Sequence, residues 1–412
     1  MSHAAPRRKS LVSSLGAIAL VLIIPIPALL TRLGLLTPSV ELGTLLFAVS
    51  VVAAAFAMSW AAEAAERDIP RALSLIVIAL LAVLPEYAVD IVFAWKAGQD
   101  PAFAPYAVAN MTGSNRLLLG VGWSTVAVLA WVSQRRKVIE LDRGGAVAVG
   151  FLAAATAYSF TLVLRREISL IDSVLLALLF AGYAIWAARS GTEEPELVGP
   201  AATIGALPTA PRRLVLLALF TFAGAMIALA AEPFAEGLVH TGRSLGIDEF
   251  LLVQWLAPLS SESPEFLVAA VLALRGRATV AFALLLSAKI NQWTLLVGSL
   301  PVAYSIGAGH PAALPFDDRQ TAEVLLTGAQ SLFGVAILAS LSFALSEAAV
   351  LAALFVAQLV VGGVARTLLR ASGAGEVELI AFSALYAALA LIQLYRARHM
   401  LARLAKKHRS PD

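Results

Sequence analysis

The sequence predicts an all-α polytopic membrane protein with about twelve transmembrane helices, built as an inverted repeat. Three observations carry that prediction. The 412 residues are 60% hydrophobic and 14% charged, whereas a soluble domain carries about 25% charged residues. Apolar runs long enough to cross a hydrocarbon core of about 30 Å recur from end to end. Two stretches of the chain also repeat each other, and helix parity sets them upside down with respect to one another.

The apolar runs fall at 11–36, 40–65, 71–96, 103–133, 144–164, 168–188, 213–240, 247–274, 278–306, 320–344, 346–369 and 376–397. Charges, Pro and Gly bound them, as expected of spans separated by loops. The first run follows "MSHAAPRRKS". It is longer than the h-region of a signal peptide and lacks a clear small-residue cleavage site, so it reads as a retained span. Orientation follows from Lys and Arg. With the N-terminus inside, the inner loops and the tail collect twenty of the thirty cations and the outer loops eight. Both termini then lie inside, which agrees with an even number of spans. The remaining two cations, Arg116 and Lys289, fall within spans. The stretch "SGTEEPELVGPAATIGALPTAPRR", 190–213, reads as a solvated linker.

Composition excludes several chemistries. There are no cysteines, hence no disulfides, thiolate metal sites or cysteine nucleophiles. Five His are present, none in an HExxH arrangement. Net charge of +3 implies no nucleic-acid partner.

The repeat starts at "LLAVLPEYAVDIVFAWKAG", 80–98, followed by "VANMTGSNRLLLGVG", 108–122. Its second copy is "LSSESPEFLVAAVLALRG", 259–276, followed by "LLLSAKINQWTLLVG", 284–298. Each copy has Pro-Glu in mid-span, an apolar half-helix, a basic residue near a Gly turn, and a second span with a small-polar break. The first Pro-Glu span is the third and the second is the eighth, so they cross in opposite senses. Inverted repeats with interrupted helices are typical of secondary transporters, whose ion sites lie near the midplane.

Energetics sharpen the point. Glu86, Asp90, Glu262, Glu265, Arg116 and Lys289 would together cost roughly 15–20 kcal/mol if left unpaired in lipid. They must face one another, water or a bound cation. Pro264 withholds a backbone N–H and frees a carbonyl one turn earlier. Carboxylates and freed carbonyls make a hard-oxygen environment suited to Na⁺ or Ca²⁺. Asp90 lies four residues after Glu86 and Glu262 three before Glu265, each on the same helix face as its partner. The alternative for Asp90 is a pair with Arg116. For Lys289 it is a structural salt bridge, and for Ser114, Asn110 and Asn115 it is helix–helix hydrogen bonding.

Both copies resemble the alpha repeats of the cation/calcium exchanger superfamily, which includes sodium/calcium exchangers. That pattern runs roughly Gly-Thr-Ser-Leu-Pro-Glu, then Gly-Asn-x-x-Gly-Ser-Asn. "VLPE" (83–86) and "ANMTGSN" (109–115) match it well; "SSESPE" (260–265) and "SAKINQ" (287–292) match more loosely. The resemblance implies a ten-helix inverted-repeat core, with one added helix at each end. It implies that Glu86 and Glu265 are the central carboxylates that bind Ca²⁺ and Na⁺, and that Ser114 and Ser261 match hydroxyl positions of the pattern. Glu262 and Gln292 depart from it but remain candidate ligands by placement, and Lys289, Asp90, Asn110 and Asn115 are further candidate site residues. Departures stand beside the matches. The Thr-Ser before the first Pro-Glu is Ala82-Val83, and the second Gly-Ser-Asn is Ser287-Ala288-Lys289. An ammonium there is able to stand in for a bound Na⁺.

The expected function is therefore a secondary active antiporter exchanging Ca²⁺ or Na⁺, against H⁺ in the version that Lys289 favours. It would work by alternating access, in the cell membrane, with inorganic cations, protons and the bilayer as partners and no cofactor. The expected division is 1–39 (tail and extra helix), 40–189 (first repeat), 190–212 (linker), 213–370 (second repeat) and 371–412 (extra helix and basic tail). A degenerate homologue without transport is the alternative. A membrane-embedded hydrolase is disfavoured by the absence of a catalytic His, Cys or metal motif.

Overall fold

The computed structural model describes residues 8–65, 67–68, 84–189, 197–368 and 374–407. Helices α1 (Arg8–Ile23) and α2 (Ile26–Arg32) form the first span. Pro25 and Pro27 fall at the break between them, where the missing N–H groups and ring clashes stop a regular helix. The second span is α3 (Val40–Ala65). Residues 71–83 of the predicted third span lie outside the described residues, and its remainder is α4 (Leu84–Gln99). A 3₁₀ turn, Pro101–Phe103, leads into α5 (Ala104–Leu117). A π-helical segment, Leu118–Trp123, joins α5 to α6 (Ser124–Gln134). Then come β1 (Val138–Glu140), α7 (Arg143–Arg165), β2 (Glu167–Ile168) and α8 (Leu170–Arg189). They are followed by α9 (Gly199–Gly205), α10 (Thr209–Leu245), α11 (Glu249–Leu274) and α12 (Ala278–Asn291). A second π segment, Gln292–Leu296, joins α12 to α13 (Val297–Ala308). The chain closes with β3 (Leu314–Pro315), α14 (Asp318–Leu338), β4 (Ser342–Ala344), α15 (Leu345–Leu368) and α16 (Ala374–Lys407).

Among the described residues, ten helical stretches are long and apolar enough to cross a membrane. They coincide with ten of the twelve predicted runs. The other two are the Pro-Glu helices. Only part of the first is described. The second, α11, is long enough at 26 residues, but Glu262, Glu265, two prolines and three serines dilute its apolar character. The all-α polytopic class is thus what the structure shows.

Three features differ from the sequence reading. First, α11 is not interrupted at Pro264: it runs as one helix through Pro258 and Pro264. The irregular backbone sits instead in the helix that follows each Pro-Glu helix, as the two π segments. Second, the stretch read as linker is not all loop. Its residues 190–196 lie outside the described residues, but α9 follows, with Ala201 and Ile204 buried. Third, short strands appear between helices. β1 pairs antiparallel with β4, Ile139 opposite Phe343, and β2 with β3, Ile168 opposite Leu314.

The contacts divide the chain into two compact units, Met1–Val92 with Ala184–Glu265, and Phe93–Tyr183 with Phe266–Asp412. In the first unit α3 packs along α10. The contact is made of small residues, Ala53, Ala54, Ala57, Ala61 and Ala64 from α3 and Ala223 from α10, joined by Met226 and Ile227. Small side chains let the backbones of membrane helices approach closely. Thr44 and Thr241 share a hydroxyl hydrogen bond of 3.0 Å in the same unit. At its polar edge Asp68 receives two hydrogen bonds from Arg212, at 2.6 and 3.0 Å, and one from Arg213 at 3.1 Å. Arg67 and Arg212 both donate to the carbonyl of Gly205, tying down the end of α9.

In the second unit α14 packs against α5, α7 and α16. Trp123 is fully buried against Phe282 and Phe343, with ring centroids 5.0 and 6.1 Å away. Close backbone approach requires glycine between α4 and α13. A Cβ on Gly98 would meet Tyr304 and Ala308 backbone, and one on Gly307 would meet the carbonyl of Trp95. Outward faces of α7 and α8 present Leu164, Ile171 and Leu178, all exposed, as lipid-facing helices do.

Candidate functional site

The candidate carboxylates all belong to the first unit. Glu86 and Asp90 sit one turn apart on α4, 3% and 0% exposed. Glu262 and Glu265 sit on α11; Glu262 is 1% exposed and Glu265 half-buried. Oε2 of Glu265 has no hydrogen-bond partner among the described residues. Around them the serines turn back onto their own helix. Ser260 donates to Leu256 O at 2.8 Å, Ser261 to Ala257 O at 3.2 Å, and Ser263 to Leu259 O. A hydroxyl that donates backwards keeps its lone pairs for a cation. Pro258 and Pro264 supply no N–H to the carbonyls of Gln254 and Ser260, so α11 carries extra acceptor capacity beside its carboxylates.

The amide, hydroxyl and ammonium candidates belong to the second unit, except Ser261. Asn110, Ser114 and Asn115 lie on α5, and Lys289 and Gln292 stand at the end of α12 and the start of its π segment. All five are completely buried. Asn110 and Ser114 are four residues apart, hence on one helix face. Neither amide atom of Asn110, nor the Ser114 hydroxyl, has a hydrogen-bond partner among the described residues. Buried polar atoms are nearly always satisfied, so these three have capacity to accept a water or an ion. Asn115 differs. Its amide donates to Met111 O at 2.9 Å, while its side-chain and backbone oxygens accept from Lys289 Nζ at 2.7 and 2.9 Å. The Lys289 ammonium also lies 5.1 Å from the centre of the Trp293 ring.

Arg116 forms an ion pair with Glu323 of α14, at 2.7 Å, both side chains fully buried. The sequence reading set Asp90 against Arg116 and did not single out Glu323. Glu323 lies near the start of the run 320–344, and an arginine inside a span signals that an acid must meet it. Among the described residues no group of three or more Asp, Glu or His side chains forms a metal-chelating cluster. Ala82 and Val83, where two hydroxyls of the family pattern are missing, lie outside the described residues.

The profile of the sodium/calcium exchanger protein family matches residues 39–189 and 215–363. The chain belongs to that family. Among solved structures, the exchanger resembles one described as the H⁺/Ca²⁺ exchanger CAX: 43% identity, 96% of this chain and 98% of that chain covered, TM-score 0.89. It shares a fold with native YfkE, at 16% identity, 84% and 97% coverage and TM-score 0.58. The sodium-calcium exchanger NCX_Mj, at 17% identity, 78% and 98% coverage and TM-score 0.50, shows the same fold. A comparison with curated protein sequences gave no match. The two copies of the repeated sequence share a local structural feature. Each has a Pro-Glu helix followed by a helix relaxed into a π segment, Leu118–Trp123 in one and Gln292–Leu296 in the other. Such segments cluster at functional sites. In the first, a Cβ at Gly120 would run into the ring of Phe355, so glycine is what lets α15 close on it.

Proposed function

We propose that the chain is an antiporter that moves Ca²⁺ against H⁺, with Glu86 and Glu265 as the groups that hold cation and proton in turn. The observation that carries this reading is the 43% identity, over 96% of the chain, to a protein described as an H⁺/Ca²⁺ exchanger. The residues support it. An intramembrane carboxylate is expensive unless it has a use, and four of them, Glu86, Asp90, Glu262 and Glu265, sit on the two Pro-Glu helices. A carboxylate binds Ca²⁺ when ionised and releases it when protonated. Competition of cation and proton for the same oxygens couples the two fluxes without covalent chemistry. Ser261 and Glu262 add oxygen ligands on α11. Ser114 and Gln292 are the neutral-oxygen candidates of the second unit, with Asn110 and Asn115 beside them on α5.

The reading extends to organisation. Residues 40–189 and 213–370 are proposed as repeats of opposite sense, joined by 190–212 and flanked by one added helix at each end. Both termini face the cytoplasm, following the Lys and Arg count. The cycle needs cations, protons and a bilayer, with no cofactor and no nucleic acid.

The test is cation-driven proton movement in proteoliposomes loaded with a pH dye. Adding Ca²⁺ outside should drive protons out and alkalinise the lumen, and Glu265→Gln and Glu86→Gln should each abolish the signal. Liposomes that respond to an ionophore but not to Ca²⁺ through the wild-type protein would leave the degenerate-homologue reading in its place.

A further inference from the structure

Asn115 and Lys289 occupy equivalent places in the two repeats, as the third residues of "GSN" and "SAK". The structure brings these two positions together. Lys289 Nζ donates to both oxygens of Asn115, at 2.7 and 2.9 Å, and the amide of Asn115 is held in that orientation by its own bond to Met111 O at 2.9 Å. The aromatic face of Trp293, one helical turn beyond, backs the ammonium at 5.1 Å. Both partners are 0% exposed. Two carbonyl-type oxygens and an aromatic face are the surroundings that a monovalent cation seeks, and here a covalently tethered one fills them.

The neighbours on α5 show that this is particular to Asn115. Asn110 and Ser114 are as deeply buried, yet their side chains have no hydrogen-bond partner among the described residues. One stretch of helix thus holds two polar groups left open and one that is closed by a lysine. The second copy has no counterpart to the open hydroxyl, since Ala288 stands where the first copy has Ser114.

We propose that Lys289 is a resident cation: it takes the oxygens of Asn115, bars Na⁺ from that position, and so restricts exchange to a divalent cation and protons. This rests on the Ca²⁺/H⁺ reading above and names the residue that sets its ion specificity. A Na⁺ ligated by the same oxygens would stand next to the ammonium, and like charges at such range in a buried site exclude each other. Removing the ammonium while keeping a neutral polar group reopens the position.

The experiment measures Ca²⁺ flux and lumenal pH together in proteoliposomes, with Na⁺ or with an impermeant organic cation outside. The proteins are wild type, Lys289→Asn, Lys289→Gln and Lys289→Arg. Wild type should exchange Ca²⁺ for protons with the same apparent Ca²⁺ affinity in both media, and whatever exchange Lys289→Arg retains should be equally indifferent to Na⁺, because the cation is kept. In Lys289→Asn or Lys289→Gln, Na⁺ should shift the apparent Ca²⁺ affinity by about fivefold or more, the size of an ordinary coupling between sites. Na⁺ sensitivity of the wild type, or of Lys289→Arg, would overturn the proposal even if both neutral variants failed to assemble. So would a neutral variant that exchanges Ca²⁺ with no response to Na⁺. A wild type that moves no protons with Ca²⁺ refutes the function instead, and that result is distinct from either.

Discussion

The Arg116–Glu323 pair gives the sharpest test of how the second unit is held. Both side chains are fully buried and 2.7 Å apart, linking α5 to α14. Glu323→Gln removes one charge and leaves Arg116 buried with a neutral partner. Breaking a buried pair from one side costs about 3–5 kcal/mol. For a unit of this size that corresponds to roughly 6–20 °C in midpoint temperature. Arg116→Met should cost a similar amount, because it strands the carboxylate. The double variant Arg116→Met/Glu323→Leu strands neither charge and replaces the pair by apolar groups of similar bulk. Its cost should fall well short of the sum of the two single costs, since an apolar replacement is often neutral. The assay is thermal unfolding in detergent, followed as the loss of monodisperse protein in all four proteins. Additive costs would refute the reasoning, because they would mean that the two charges do not depend on each other. Single costs below about 1 kcal/mol would do the same, placing the pair among solvent-screened ones.

Other predictions address separate features. Asn110→Leu should leave thermal stability unchanged or raise it, since no described residue satisfies its amide, while reducing the stabilisation that added Ca²⁺ provides; equal Ca²⁺ stabilisation in both proteins would remove Asn110 from the site. Gly307→Ala should destabilise by about 1–3 kcal/mol, because its Cβ meets the backbone of Trp95. Gly150→Ala, with open space at its Cβ, should be neutral or stabilising by about 0.5–1 kcal/mol; detergent melts of the two variants side by side decide this. Outside the spans, hydrogen bonds from Arg212 hold the Asp68 carboxyl below its usual range. A lowered carboxylate adds stability above its unfolded value of about 3.9 and loses it as pH falls through the folded value. Asp68→Asn should therefore melt earlier than wild type at neutral pH, and the difference should shrink as acid titrates the Asp68 carboxyl; a difference that does not shrink on acidification would show that the pairing is not its source.

Much of this protein was legible in the sequence because lipid leaves few choices. A span must be about twenty apolar residues and must satisfy its own backbone, so hydropathy alone marks the helices. Ten of the twelve predicted runs match ten helices of spanning character; of the two with Pro-Glu at their centre, one is only partly described and the other is the 26-residue helix α11. The carboxylates stood out for the same reason: Glu86 and Glu265 sit in apolar runs at a cost that a partner, water or a bound cation must offset. The repeat was visible because two sequences can be compared without any structure. What the sequence did not disclose depends on contacts between residues far apart in the chain. Glu323 is separated from Arg116 by about two hundred positions, and only the packing of α14 on α5 selects it as the partner. The π segments were not foreseen either. One of them packs tightly against a neighbour far off in the chain, at Gly120 beneath Phe355, and no local propensity encodes that contact. The prolines of α11 suggested a broken helix, yet the helix continues through both, because a missing N–H ends a helix only where nothing else holds it. The role of Lys289 was divided between the two levels. Its presence inside a span made it conspicuous, but that its ammonium donates to Asn115 follows from the approach of α12 to α5, which tertiary packing alone decides.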